Sequence, residues 1–202
     1  EISTLLTVAQ AEDEVIVRLE SSGGMVHAYG LAAAQLARIK EAGLNLTVCI
    51  DKVAASGGYM MACVADKILA APFAVVGSIG VVAQVPNFHD LLEKHDIDVE
   101  VFTAGKYKRT VTVFGENTEE DKQKFQQELE ETHKLFKDFV RKYRPTLDVE
   151  QVATGEHWYG EDAITRNLVD ALQTSDSYIL EKMTDSELYA IQSRQKPTIA
   201  QK

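Results

Sequence analysis

Two successive units of strand, glycine turn and helix constrain this chain more than any other feature. Val15-Ile16-Val17-Arg18-Leu19 is a β-branched run that leads into Glu20-Ser21-Ser22-Gly23-Gly24. From Val26 to Ile39 small and apolar residues follow, a pattern that predicts a helix stopping near Gly43. The same order then recurs. Leu46-Thr47-Val48-Cys49-Ile50 predicts a buried strand, Asp51 to Gly58 a second glycine turn, and Tyr59 to Ala65 a second helix. Lys67 to Ala71 and Val75-Val76 read as further short buried strands, broken by Pro72 and by Gly77-Ser78-Ile79-Gly80. Apolar strands alternating with helices are covered on both faces and pair in parallel, so the fold class is α/β.

The region from 118 to 144 follows a different period. Phe125, Leu129, Thr132, Phe136, Phe139, Val140 and Tyr143 recur at three- and four-residue spacing, one face of a long amphipathic helix. Asn117 or Thr118 can cap its start, Glu119, Glu120 and Asp121 suit its first turn, and Pro145 follows its end. Gly160 to Leu172 reads as a shorter helix and a turn, with Asn167 suited to a left-handed cap. From Thr184 the chain is polar and aperiodic. The expectation is one domain over residues 1–183 and a loosely ordered polar tail over 184–202.

Lys and Arg number 21 against 31 Asp and Glu, a net charge of −10 that repels phosphate backbones and excludes nucleic acid as a general partner. The longest apolar run, Leu69 to Gly77, is far shorter than the ~20 residues of a membrane helix. Cys49 and Cys63 lie in apolar surroundings without metal or redox spacing and read as buried, reduced thiols.

The chemistry concentrates at the two glycine turns. Ser22-Gly23-Gly24 and Ser56-Gly57-Gly58 each precede a helix, whose N-terminus presents free N–H groups. Two such turns at neighbouring strand ends can aim two amides at one oxygen, the geometry of an oxyanion hole, or can be no more than tight turns. Ser56 stands between a strand and a helix with Ala54, Ala55, Gly57 and Gly58 around it, and half-matches a nucleophile elbow. Its hydroxyl needs a base. None of the five histidines is tied to it by spacing. Lys108, flanked by Val101, Phe102, Val111, Val113 and Phe114, can serve if burial strips its charge; left in water, Lys106, Lys108 and Arg109 form only a solvated basic loop.

Six strings carry a resemblance in both order and spacing. They are Glu20 to Met25, DKVAASGGYMMACVADKI (Asp51 to Ile68), Gly77 to Val82, AGKYKRT (Ala104 to Thr110), FGENTEED (Phe114 to Asp121) and GEHWYG (Gly155 to Gly160). Together they resemble the signal peptide peptidase A family of serine–lysine peptidases, best of all its single-repeat bacterial inner-membrane branch. The resemblance covers roughly residues 10 to 172. It implies a Clp protease/crotonase-like α/β domain with a long amphipathic helix and a short C-terminal helical segment.

By the same resemblance Ser56 matches the nucleophile, Lys108 the general base, Ser78 the hydroxyl that orients the lysine, and Gly23 and Gly57 the oxyanion amides. No metal or cofactor is implied. The implied partners are extended peptide substrates and further copies of the chain in a ring, with Lys108 of one copy serving Ser56 of another. An N-terminal membrane anchor and a first strand are expected before residue 1, with the domain on the periplasmic side of a bacterial inner membrane. Ser22 departs from the family's usual proline and loosens the first turn. That departure leaves an alternative, a weak or inactive peptidase-like scaffold on the same fold.

Overall fold

In chain order the elements begin with α1 (Ile2–Val8), β1 (Glu14–Arg18), α2 (Val26–Glu41), β2 (Asn45–Ile50), β3 (Val53–Ala55), α3 (Gly57–Ala62), β4 (Lys67–Ala70) and β5 (Val75–Gly77). Then come α4 (His89–Glu93), α5 (Glu119–Tyr143), α6 (Val149–Val152), β6 (His157–Tyr159), α7 (Gly160–Thr165), β7 (Ala171–Leu172) and α8 (Ser175–Lys182). This is a computed structural model that describes residues 1–191. Of the expected tail, the part beyond residue 191 lies outside the described residues. The chain divides into two units, Glu1–Ile79 together with the chain from Phe139, and Gly80–Asp138.

In the first unit four strands pair in parallel in the order β1-β2-β4-β7. A second sheet has the order β3-β5-β6, with β3 and β5 parallel and β6 antiparallel. The α/β class and the parallel pairing expected from the sequence are both present. β2 is buried along all but its first residue, as its continuous apolar run requires between two covered faces. α2 turns Ala33, Leu36, Ala37 and Ile39 inward and stops where Gly43 takes a φ of +82°. Cys49 and Cys63 are buried and free, and burial pushes their thiols up to about 11 and about 12.

α5 keeps the expected stripe. Phe136 and Val140 are buried, and Phe125, Leu129, Thr132, Phe139 and Tyr143 are half-buried on the same face. Thr118 starts the helix with a reciprocal cap: Thr118 N–H donates to Asp121 at 3.0 Å and Asp121 N–H donates to Thr118 Oγ1 at 3.2 Å. Just after its end, Arg144 is buried in the first unit and donates to both Asp170 oxygens at 2.7 and 2.9 Å and to the Asn167 carbonyl at 3.0 Å. Asn167 has a φ of 59°, the left-handed turn read from its sequence position.

The second unit is mostly loop, with α4 and most of α5, and no strand among its described residues. Asn87 donates to the Thr112 and Gly115 carbonyls at 3.0 Å each, and Phe88 stacks on Phe114 at 6.2 Å. Many of its apolar side chains stay in solvent, Val82 and Phe102 among them.

α8 is tied to the parallel sheet by two carboxylates. Glu14 accepts from Tyr178 Oη at 2.6 Å and pairs with Lys182 at 2.7 Å, while Asp51 accepts from the Ser175 N–H at 2.8 Å. Partial burial pushes both carboxyls up, but these donors outweigh it and hold both below their ordinary values of 4.5 and 3.8. A carboxyl held down in the fold stabilises it above its ordinary range, and that contribution is lost as pH falls through the folded value. Stability is therefore expected to be level between about pH 5 and 7 and to decline below about pH 4. In urea titrations a Glu14→Gln, Asp51→Asn variant is expected to be weaker at pH 7 and to show a shallower acid decline. An unchanged acid slope would remove these two groups from the account.

Candidate active site

β3 and β5 run parallel with Ala55 opposite Gly77, and the Ser56 N–H donates to the Gly77 carbonyl at 2.8 Å. The two strands therefore end level, and each is followed by a serine with positive φ, Ser56 at 52° and Ser78 at 50°. Sequence expectation placed both in one site, and the register sets them side by side. Ser78 is half-buried, and its N–H donates to the Glu156 carbonyl at 2.6 Å.

Ser56 begins α3 in an unusual way. An ordinary N-cap serine has extended backbone and accepts a hydrogen bond from the first turn. Ser56 has φ 52° and ψ −120° and makes no such bond. Backbone in a sparsely populated region costs about 1–3 kcal/mol, and persists only where the surroundings impose it. They do: Ala54, Ala55, Gly57 and Gly58 are buried on either side, while Ser56 stays half-exposed. The sharp corner holds the hydroxyl out of the helix.

The first glycine turn lies against this corner. Ser21 N–H donates to the Val53 carbonyl at 2.9 Å and Ala55 N–H donates to the Ser21 carbonyl at 3.0 Å, so Ser21 runs beside β3. Gly23 then takes a φ of +93°, and a Cβ there would sit 2.8 Å from both the Gly57 nitrogen and the Ser56 Cβ. Only glycine fits so close. Both glycine turns are thus brought to Ser56. Gly57 is the first residue of α3, where N–H groups have no partner within the helix. The Gly23 N–H, however, donates to Ser21 Oγ at 3.2 Å, whereas among the described residues the Gly24 N–H meets no acceptor.

Lys108 belongs to the second unit, in a turn closed by its N–H donating to the Gly105 carbonyl at 3.0 Å. Its side chain is exposed, and neighbouring Lys106 pairs with Glu120 at 2.7 Å. The dry setting expected from its apolar flanks is absent within the second unit. Phe102 is 88% exposed and Phe114 51%, and side chains with so little packed on them cannot exclude water from an amine.

Sequence reasoning missed two residues, Tyr29 and Ser21. Tyr29 reaches back from α2 to hydrogen-bond Ser21 Oγ at 2.8 Å, between the two glycine turns. The signal for Tyr29 was available: it is the one phenol ring in a helix otherwise rich in alanine.

Comparison with known proteins places these motifs. A family model described as Peptidase family S49 matches residues 38–189, and one described as Peptidase family S49 N-terminal matches residues 1–36. The chain is 65% identical over 202 residues to a "Probable protease SohB" of Haemophilus influenzae, covering 100% of this chain and 57% of that protein. It is 58% identical over 192 residues to the protein of that name from Buchnera aphidicola subsp. Acyrthosiphon pisum, covering 95% and 57%. A third, from Buchnera aphidicola subsp. Schlechtendalia chinensis, is 56% identical over 182 residues, covering 90% and 60%. The chain spans a little over half the length of these relatives.

The strain at the corner is measurable. Ser56→Gly relieves the positive φ and is expected to raise stability by about 1 kcal/mol, after the entropy that glycine adds to the unfolded chain. Gly23→Ala forces a Cβ into the Ser56–Gly57 backbone and is expected to cost about 3 kcal/mol. Denaturant midpoints of the two variants moving in the same direction would contradict this geometry.

Proposed function

Because the chain belongs to peptidase family S49, we propose that it is a serine endopeptidase in which Ser56 and Lys108 form the catalytic dyad. The scaffold is read as Clp protease/crotonase-like, in keeping with its parallel sheet and its paired glycine turns. The observation that carries this reading is the Ser56 corner: a half-exposed hydroxyl at positive φ, unused by its own helix, with Gly23 and Gly57 packed against it.

In this mechanism neutral Lys108 takes the Ser56 proton as the serine oxygen attacks the scissile carbonyl. The tetrahedral oxyanion is held by the Gly57 N–H and by the first glycine turn. Since the Gly23 N–H is engaged by Ser21, that turn contributes through the Gly24 N–H, with the φ of Gly23 aiming it. Lys108 returns the proton to the leaving amine, and water then clears the acyl-enzyme. Ser78, level with Ser56, orients the lysine amine.

A lysine in water has a pKa of about 10.4 and is no base at neutral pH, so Lys108 must be covered. Its exposure within the second unit, where Phe102 is exposed as well, favours a ring-like homo-oligomer in which Lys108 of one subunit serves Ser56 of another. The proposed substrates are extended polypeptides, signal-peptide remnants or misfolded chains. Among the described residues no helix is long and apolar enough to cross a membrane. The proposed setting is a bacterial inner membrane, held through an anchor outside this sequence, with the domain on the periplasmic face. The Ser22 departure from the family's usual proline is what favours the second reading, an inactive scaffold that keeps the fold for assembly.

Peptide cleavage by the full-length protein separates the two. Ser56→Ala and Lys108→Ala are each expected to lose roughly 10⁴-fold in turnover while remaining folded. Mixing the two dead variants is expected to restore part of the activity, because each supplies the group the other lacks. Wild-type-like cleavage by Lys108→Ala would end the dyad; an assembled wild type that cleaves nothing would favour the scaffold.

A further inference from the structure

The two glycine turns are held by different strands, so something must fix the distance between them. One side chain touches both. A Cβ on Gly24 would come within 2.9 Å of Tyr29 Cε2, and a Cβ on Gly57 would run into the same ring at Cγ. The phenol ring is therefore a spacer set against the α-carbons of Gly24 and Gly57, the two residues proposed above to supply the oxyanion amides. Its hydroxyl does a second thing. Tyr29 Oη and Ser21 Oγ share a hydrogen bond of 2.8 Å, and the same Ser21 oxygen accepts the Gly23 N–H at 3.2 Å. Ser21 is itself fixed to β3 by two backbone bonds, so Gly23 is tied to the strand that carries Ser56. Ser22, between Ser21 and Gly23, is exposed and has no ring to fix its φ. Side-chain bonding supplies the rigidity that the backbone of this turn lacks.

We propose that Tyr29 is a positioning residue of the oxyanion site, holding the first glycine turn through Ser21 and setting its spacing from Gly57 with its ring. It touches neither substrate nor the reacting atoms. The inference rests on the peptidase reading above. Since the oxyanion interaction is made in the transition state, loosening the turn lowers turnover and leaves substrate binding alone.

The test is steady-state cleavage of a fluorogenic peptide by the full-length protein, with thermal melting of each variant alongside. Tyr29→Phe keeps the ring and removes the hydroxyl. It is expected to lower kcat by about 10- to 100-fold, the range for misplacing rather than deleting a donor, with KM within about twofold and Tm nearly unchanged. Ser21→Ala cuts the same chain at its middle and is expected to match it, and the double variant to be no worse than the weaker single one, since both act through one link. Wild-type kcat in Tyr29→Phe, with Ser56→Ala inactive, would overturn this role and leave the peptidase standing. So would a loss that appears in KM, or one that tracks a fall in Tm. Equal rates for wild type and Ser56→Ala would instead overturn the reading beneath it.

Discussion

The Ser56 N–H donates to the Gly77 carbonyl, and much of the site depends on that bond. It extends the β3–β5 register by one residue past the end of β3, so the chain cannot relax into an ordinary helix cap. Ser56 must turn at positive φ within one residue to enter α3, and its side chain is left outside both elements. Parallel pairing matters here, because only parallel neighbours bring two strand ends, and so Ser56 and Ser78, to the same edge. An antiparallel β5 would have put Gly77 and Ser78 at the far end of the sheet.

The glycines follow from the same constraint. With Ser21 pinned beside β3 and α3 starting immediately after Ser56, the backbone of the first turn passes closer to Gly57 than any Cβ allows. The close approach carries a strain that the buried alanines and glycines around the corner sustain. Tyr29 fills the remaining gap. The site is therefore a set of backbone groups held by packing, with few polar side chains of its own in the first unit. Lys108, the proposed base, stands in a loop-rich unit in which many apolar side chains are exposed.

Much of the first unit was legible because its signals are local. The β-branched run Val15 to Val17, the apolar run of β2 and the glycine pairs marked strands and turns, and the spacing of Phe125 to Tyr143 marked α5. The elements that escaped were short or owe their existence to distant partners. β7 is two residues long and exists because it pairs with β4; α8 forms against Glu14 and Asp51, far away in the sequence. The parallel register between β3 and β5 could not be read from spacing, although the glycine turns hinted that two loops converge. Gly23 was legible as a conformational residue, but not the engagement of its N–H by Ser21, which needs the fold. Lys108 was a candidate base from its apolar flanks, and only its motif set it apart from a solvated basic loop. Its neighbours are apolar by composition, and composition does not say whether they pack.

The account stands or falls on Ser56 as the atom that carries the acyl group. The most direct measurement is to mix the full-length protein with a peptide ester, quench in acid within the first turnover, and map the added mass by tandem mass spectrometry. The acyl group is expected on the Ser56 peptide. Hydrolysis of the ester that proceeds with no acyl group on Ser56 at any time in the first turnover, or with the acyl group on another residue, would contradict it.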